Sequence, residues 1–564
     1  VPRFRKMLGR SQSAKQRGTR PRPPGAPGPE PRPSGDDGAP AEPIDKDLDK
    51  NESALRAALG DSMDLTFRRL RPDPEGRRLL LVYLRGSVDE VLLASNIIRP
   101  LTVPGLLAGG SGEAFIAALS ERVVSVGTVN ELSSLDQLVR GILGAHVGLI
   151  VDGSETALEV VTSAWPTRGV SEPDTEVTIR GPRDGFGAAI LDDIALLRKA
   201  VRDPNLRFIR RHVGRRTNTV TVVAYIAGLA PQSLIDEVNR RLDHIDTDGI
   251  LESGYIEEMI RDHRWSPFPM LFRTERPDRV AGCLLEGRVA ILVDGTPFVL
   301  VMPATLSMFL TAADDWYEGF TMGTAMRLLR YFGFVISIAL PALYVAITSF
   351  HHEMVPTPLV LSIANQRQGI PFPVLAEALF LQIMFELLRE AGVRLPKAVG
   401  QAVTIVGALI IGQQAVEAGL VSPFMVIIIA ITAIASFATP VYSMGLSIRL
   451  INPLMIIAGG TLGLFGIVIA AVVLVAYLAS LNSFGVPYMS PVAPTRTEGL
   501  KDVLLQWPLW APKRRPMLAP GADPITGALP SARKGAAGIT SPSTPARPAG
   551  GQSTSNDDEW GASQ

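Results

Sequence analysis

The chain has 564 residues, as many acidic as basic side chains and one cysteine. That length allows two or three domains, and zero formal charge gives no reason to expect nucleic acid as a partner. A lone Cys283 excludes an internal disulfide and an all-cysteine zinc site, and the six histidines show no metal-ligand spacing, so no metal and no other cofactor is expected.

Residues 1–50 are rich in Pro, Gly, Arg and Asp. Such a composition buries too little apolar surface to offset the entropy of ordering, and it reads as a disordered tail. Residues 51–325 are mixed α/β. A strand, a turn at glycine, a helix, a short linker, a second helix and an Asp-Gly hairpin can be read twice. In the second copy these elements fall at 218–227, 231–244, 251–262, 277–285 and 288–302. Tyr83 and Tyr225, Gly86 and Gly228, and Asp152-Gly153 and Asp294-Gly295 all stand 142 residues apart. One ungapped register of that extent marks a duplicated architecture.

The expected fold class is therefore α/β plus an α-helical membrane domain. Two soluble units, 51–165 and 166–325, each form a small sandwich, loosely thioredoxin-like but without the cysteine pair of thioredoxin chemistry. Asp-Gly suits a tight hairpin turn with positive φ. The second hairpin precedes the first long apolar tract by some 25 residues, so Asp294 and Gly295 are expected to couple the soluble half to the membrane half.

Between the copies, Arg180, Gly181, Pro182, Asp184, Gly185 and Phe186 form a turn-rich loop entering a helix at about 187–201. Glycine and arginine ahead of a helix can hold an anion. No GxGxxG or GxxxxGK[ST] pattern accompanies them, and a rigid clamp between subdomains or subunits is the favoured reading. Arg207, Arg210, Arg211, Arg215 and Arg216 form a basic cluster that suits lipid headgroups, an acidic neighbour or solvent alike.

From residue 326 the composition changes. Uncharged runs cover 331–350, 398–416, 418–448 and 450–495. A bilayer core needs about 20 apolar residues as a helix, and four such runs in succession are not a soluble core. Residues 326–490 thus read as a polytopic domain of four to six membrane helices. Spans are expected near 328–350, 399–417, 421–439 and 454–481, with a fifth candidate at 371–392. Gly459 and Gly463 have the spacing of a close helix-packing pair.

Arg327 and Arg330 put the N-terminal domain in the cytoplasm, and Lys513-Arg514-Arg515 put the C-terminal segment there too. Both ends inside require an even number of crossings, whereas the spans count to five. One segment must be re-entrant, tilted or double. Residues 491–564 read as a cytoplasmic segment running into a disordered tail.

Gln382, Glu386 and Arg389 fall at i, i+4 and i+7, on one helical face. In a ring of identical subunits Glu386 would repeat as a carboxylate ring, a device for cation selectivity. The competing reading is an interfacial helix in which Glu386 and Arg389 pair with each other. GxSxG, HExxH and phosphoryl-transfer loops are all missing from the sequence, and no enzyme activity is expected.

The stretches "IRGPRDGF", "IALLRKAVRDPNL", "IDTDGILESGYIEEMI", "PALYVAITSFHHEMVPTPL" and "FELLREAGVRLPKAVGQAV" follow one another in order. Over about 60–515 the chain resembles the A subunits of GerA-type spore germinant receptors. The resemblance implies an integral protein of the inner spore membrane whose N-terminal domain faces the spore core. It implies a transporter-like B subunit that binds the nutrient and a lipoprotein C subunit as partners. It also implies self-assembly, as a pentamer, into a nutrient-gated cation channel that triggers germination. A relative encoded in the spoVA operon, which amplifies germination, has the same architecture and is one alternative. A non-conducting membrane scaffold is the other.

Overall fold

The computed structural model describes residues 42–71, 78–102, 128–166, 172–395, 412–495 and 499–508, apart from positions 174, 501 and 502, with a few isolated residues elsewhere. The first unit opens with helix α1 (Leu48–Leu59), capped by the Asp47 carboxylate on the Asp49 amide. Strands β1 (Leu65–Leu70), β2 (Leu79–Leu84) and β3 (Val129–Leu132), helix α2 (Leu135–Leu143), and strands β4 (Val147–Val151) and β5 (Ala157–Val160) follow. Between β2 and β3, Glu90–Leu92, Leu93–Ile98 and Arg99–Leu101 run on as one helical stretch with a π-helical middle.

The second unit repeats this order. It comprises α3 (Ile190–Ala200), β6 (Leu206–Val213), β7 (Thr219–Ile226), α4 (Gln232–Asp243), α5 (Ser253–Ile260), β8 (Phe272–Thr274), α6 (Pro277–Leu285), β9 (Val289–Val293) and β10 (Val299–Met302). The strand orders are β1-β2-β4-β5-β3 and β6-β7-β9-β10-β8. Adding 142 to the bounds of α2, β4 and β5 gives those of α6, β9 and β10. The duplication extends beyond the sequence pattern, because a leading helix and a first strand belong to each unit. The helix at 190–200 opens the second unit rather than linking the two.

Every pairing within both five-stranded sheets is antiparallel. The loose thioredoxin likeness finds no support in that topology. Strand β2, "LLLVYL", is buried at every position because helices cover both faces. Leu80, Val82 and Ile150 meet α1 and α2, while Leu79, Leu81 and Leu149 meet the helical stretch after β2. Side chains alternate faces along a strand, so only a strand covered on both sides becomes a continuous apolar run.

The two Asp-Gly turns do the same work in each unit. Gly153 and Gly295 hold φ of 85° and 88°. The Asp152 carboxylate accepts from the Leu48 amide at 3.3 Å, and Asp294 accepts from Ile190 at 3.4 Å. The glycine amides donate to Lys46 and Ala188 carbonyls at 2.7 and 2.9 Å. Each turn thus holds the entry of its unit's leading helix, at the hairpin end remote from residue 303.

The cores of the units differ. Those of the first are confined to the two faces of its own sheet. That of the second runs without interruption from Phe186 through the sheet into the apolar helices and on to Tyr488. Helices α7 (Leu306–Leu310) and α8 (Asp314–Tyr317) lead into α9 (Phe320–Phe350), followed by α10 (Thr357–Arg367), α11 (Val374–Arg394), α12 (Pro423–Phe437) and α13 (Tyr442–Ser480). Helices α9 and α13 are long and apolar enough to cross a membrane, and α12 is a shorter apolar helix. The span expected at 399–417 lies mostly outside the described residues.

Helix α13 is broken at Gly463, whose φ of 64° and ψ of −147° are non-helical. Residues 458 and 466 of an unbroken helix would stand about 12 Å apart. Here the Ala458 carbonyl occupies the place where a Gly466 side chain would begin, so the chain has turned back on itself. Both arms have an end at the second unit: Ser447 Oγ donates to the Pro267 carbonyl at 2.6 Å, and the Tyr477 ring lies 6.3 Å from that of Phe268. Gly463 sits at the other end, against Phe350 and His351. The single span expected at 454–481 is therefore two antiparallel arms. Of the Gly459/Gly463 pair, Gly459 packs on the Ala342 carbonyl, while Gly463 makes the reversal.

Candidate functional site

Helix α11 starts after Pro373, which ends the preceding extended turn and cannot itself continue a helix backwards. Its 3.6-residue period brings Gln382, Glu386 and Arg389 to one face, and the fold turns that face towards α12 and α13. Gln382 is buried and donates to Glu386 Oε1 at 3.4 Å. The same oxygen lies 3.6 Å from Arg389, and Glu386 Oε2 lies 3.6 Å from Arg449 of α13. Arg389 donates to Ser436 Oγ of α12 at 3.0 Å and lies over the rings of Phe385 and Phe437.

Three helices thus meet around one carboxylate and two guanidinium groups. Ionisable groups at such a place are costly unless paired. Two cations against one anion leave this cluster with net positive charge. Sequence reasoning missed Arg449 and Ser436. A signal for the arginine was present, since Arg449 alone separates the uncharged runs 418–448 and 450–495.

A second buried pair lies nearer the other end of α11. Glu377 is 1% exposed, and Arg367 donates to it at 2.6 Å. Its other oxygen accepts from the backbone and side chain of Ser422, both at 2.5 Å. At the junction with the soluble half, Asp315 of α8 is held by Arg330 at 2.5 and 2.7 Å and lies 3.5 Å from the buried Arg327. The backbone N–H of Gln506 in the C-terminal segment donates to Thr324 Oγ1 at 3.0 Å, so that segment docks on the start of α9.

The 180–186 loop straps the second unit to this junction. The Pro182 carbonyl accepts from Arg276 at 3.0 Å, Asp184 pairs with Lys199 at 2.9 Å, and the buried Phe186 donates its amide to the Glu275 carbonyl at 2.8 Å. Gly181, at φ 129°, lies against the Tyr317 ring, where a Cβ would come within 2.6 Å. Tyr317 donates its hydroxyl to Asp278, which Arg276 also binds at 2.8 Å. Arg279 of α6 reaches the Met308 and Thr311 carbonyls at 3.3 and 2.9 Å. Gly185 is buried and Arg180 exposed. The basic cluster beyond the strap is largely neutralised locally, with Arg211, Arg215 and Arg216 facing Asp243, Asp246 and Asp248.

In the second unit Asp193 is 2% exposed and accepts from the Gly187 amide at 2.8 Å. Burial, with help from Asp192 and Asp294, raises its carboxyl to about 7 despite that hydrogen bond.

The chain is 44% identical to spore germination protein KA of Bacillus subtilis (strain 168), over 84% of this chain and 87% of that protein. It is 41% identical to the uncharacterised membrane protein YfkQ of the same organism, over 84% and 91% of the two chains. Among solved structures, the N-terminal domain of the A subunit of the Bacillus megaterium spore germinant receptor GerK3 is 30% identical. That match covers 48% of this chain and 99% of that domain, with a TM-score of 0.38. The model of the Bacillus/Clostridium GerA spore germination proteins matches residues 53–518, and the chain belongs to that family.

Proposed function

We propose that this chain is the membrane-spanning A subunit of a spore germinant receptor and that copies of it, as a pentamer, form a nutrient-gated cation channel. The observation that carries this reading is Glu386, a carboxylate held between Arg389 and Arg449 where three helices meet. While it is so paired its charge is neutralised, which suits a closed pathway. Opening would release it from both arginines and present a ring of carboxylates to passing cations.

The doubled α13 supports an even number of crossings. Helix α11 runs back towards the soluble units, and Gly419, ahead of α12, lies beside Gly369 at the opposite end. With α9, α12 and both arms of α13, the ends of the chain return to one side. Arg327 and Arg330 make that side the cytoplasm, or spore core, of the inner spore membrane. A transporter-like B subunit and a lipoprotein C subunit complete the receptor. Within it the 180–186 strap and the Asp294-Gly295 hairpin belong to the unit that shares a core with the membrane helices, and so can carry its movement to α9.

The test is potassium flux from proteoliposomes holding the full chain with its partner subunits. Glu386→Gln should lower cation flux and selectivity; unchanged values would remove Glu386 from the pathway. One observation favours a non-conducting scaffold, namely that both Glu386 oxygens are engaged within a single chain. Absence of current under every nutrient condition would establish that alternative.

A further inference from the structure

We propose that the second soluble unit carries a binding cleft for an anionic phospholipid headgroup, between α4, α5 and the 261–266 loop. The proposal rests on the reading that α9 and α13 cross a membrane. Trp265 is 98% exposed, a costly position in water for so large an apolar surface. The next turn of chain fixes its level. Pro267 is bonded to Ser447, and Phe268 packs on Tyr477, near the ends of the two arms of α13. An indole at the level where apolar helices leave a soluble domain sits where tryptophan is enriched, at the membrane–water interface.

Beside it opens a cleft of about 610 Å³, lined by Arg240, Arg241, His244, Arg261 and Arg264 over Met259. Each acidic group of the cleft already has an arginine partner, Asp262 within the cleft and Asp246 outside it. Asp262 accepts from Arg241 at 2.6 Å and from the Phe484 amide at 2.7 Å, and Asp246 is paired with Arg215. Arg240 is paired with Glu237 at 2.6 Å. Among the described residues Arg264 forms no ion pair, and Arg261 Nε is buried without a hydrogen-bond partner, while Arg261 Nη2 donates to the Arg264 carbonyl. An anion is missing from this arrangement, and a phosphodiester whose acyl chains descend past Trp265 supplies it.

The experiment uses the full chain purified in detergent, with bound phosphatidylglycerol and phosphatidylcholine counted by native mass spectrometry. The wild type should prefer phosphatidylglycerol. Replacing both arginines, R261Q with R264Q, should weaken phosphatidylglycerol about thirtyfold and leave phosphatidylcholine unchanged, since each basic residue near an anionic surface contributes about 1 kcal/mol. R261K with R264K should restore the preference, and W265A should weaken both lipids. Unchanged lipid counts in R261Q/R264Q and W265A would overturn the proposal. Displacement of phosphatidylglycerol by equimolar inorganic phosphate would overturn the lipid as occupant in favour of a free anion. Alkaline extraction of membranes separates the underlying reading: wild type released to the supernatant would refute the membrane assignment itself. Wild type and variants retained in the pellet with equal lipid preference would refute only the cleft.

Discussion

Arg198 donates from Nε to Asp64 Oδ2 at 2.8 Å, with side chains 3% and 1% exposed, and this ion pair fastens the first soluble unit to the second. Ser62 completes the joint by donating to Asp64 and accepting the Phe208 amide at 3.1 Å. The Met63 amide adds a bond to the Phe208 carbonyl at 3.0 Å. Because the first unit keeps its cores to itself, these few polar contacts are prominent in tying it to the rest.

Removing one charge of that pair leaves the other buried without compensation, which costs about 3–5 kcal/mol. Asp64→Asn should therefore lower the denaturation midpoint of the full chain in detergent, with the first unit unfolding earlier. The joint replacement D64L/R198M should recover most of the stability, because an apolar pair of similar volume leaves no orphan charge. A D64N protein as stable as wild type would contradict the assigned role.

Asp193 has a natural control in the same chain. The position 142 residues earlier is Asn51, which accepts from the Asp45 amide at 2.9 Å as Asp193 accepts from Gly187. Burial places the folded Asp193 carboxyl at about 7, above its ordinary 3.8. Between those values the folded chain holds a proton that the unfolded chain has released, so stability falls as pH rises from about 4 to 7. Asp193→Asn, which copies the first unit, should flatten that slope and raise the melting temperature above pH 7. Thermal melts at pH 5 and pH 8 check it, and an unchanged difference between the two would refute it.

The paired hairpin turns allow a test of coupling. D152A and D294A each remove one acceptor from the entry of a leading helix, a loss of about 0.5–2 kcal/mol by analogy with helix caps, and D152A also releases Arg78, paired with Asp152 at 2.9 Å. Spores carrying D294A should germinate more slowly than spores carrying D152A at equal protein level, since only the second unit shares a core with the membrane helices. Equal germination rates would return both aspartates to plain structural turns.

The reversal at Gly463 predicts a topology. With Cys283 replaced by serine, a cysteine at Thr461 should be labelled by an impermeant reagent from the side opposite to one at Ser480. Labelling of both from one side would refute the two-armed α13. Gly463→Ala should itself destabilise the turn, because φ of 64° disfavours an L side chain by about 1–2 kcal/mol and the His351 ring lies 2.7 Å from the added carbon.

Much of this protein was legible in the residues. The 142-residue register, the Asp-Gly turns and the long uncharged tracts follow from periodicity and local backbone preference, which a chain expresses without reference to its remote parts. The same residues placed Gln382, Glu386 and Arg389 on one face and required one segment to be re-entrant, tilted or double. The tertiary structure decided that α13 is the doubled segment, that Arg449 rather than Arg389 alone answers Glu386, that the 180–186 loop straps α6 and Tyr317, and that Asp64 meets Arg198. Each of these joins residues far apart in sequence, and a buried charge carries no mark of which distant partner will compensate it. That is settled only when the helices and sheets pack and every ionisable group left inside must find an opposite charge or a hydrogen bond.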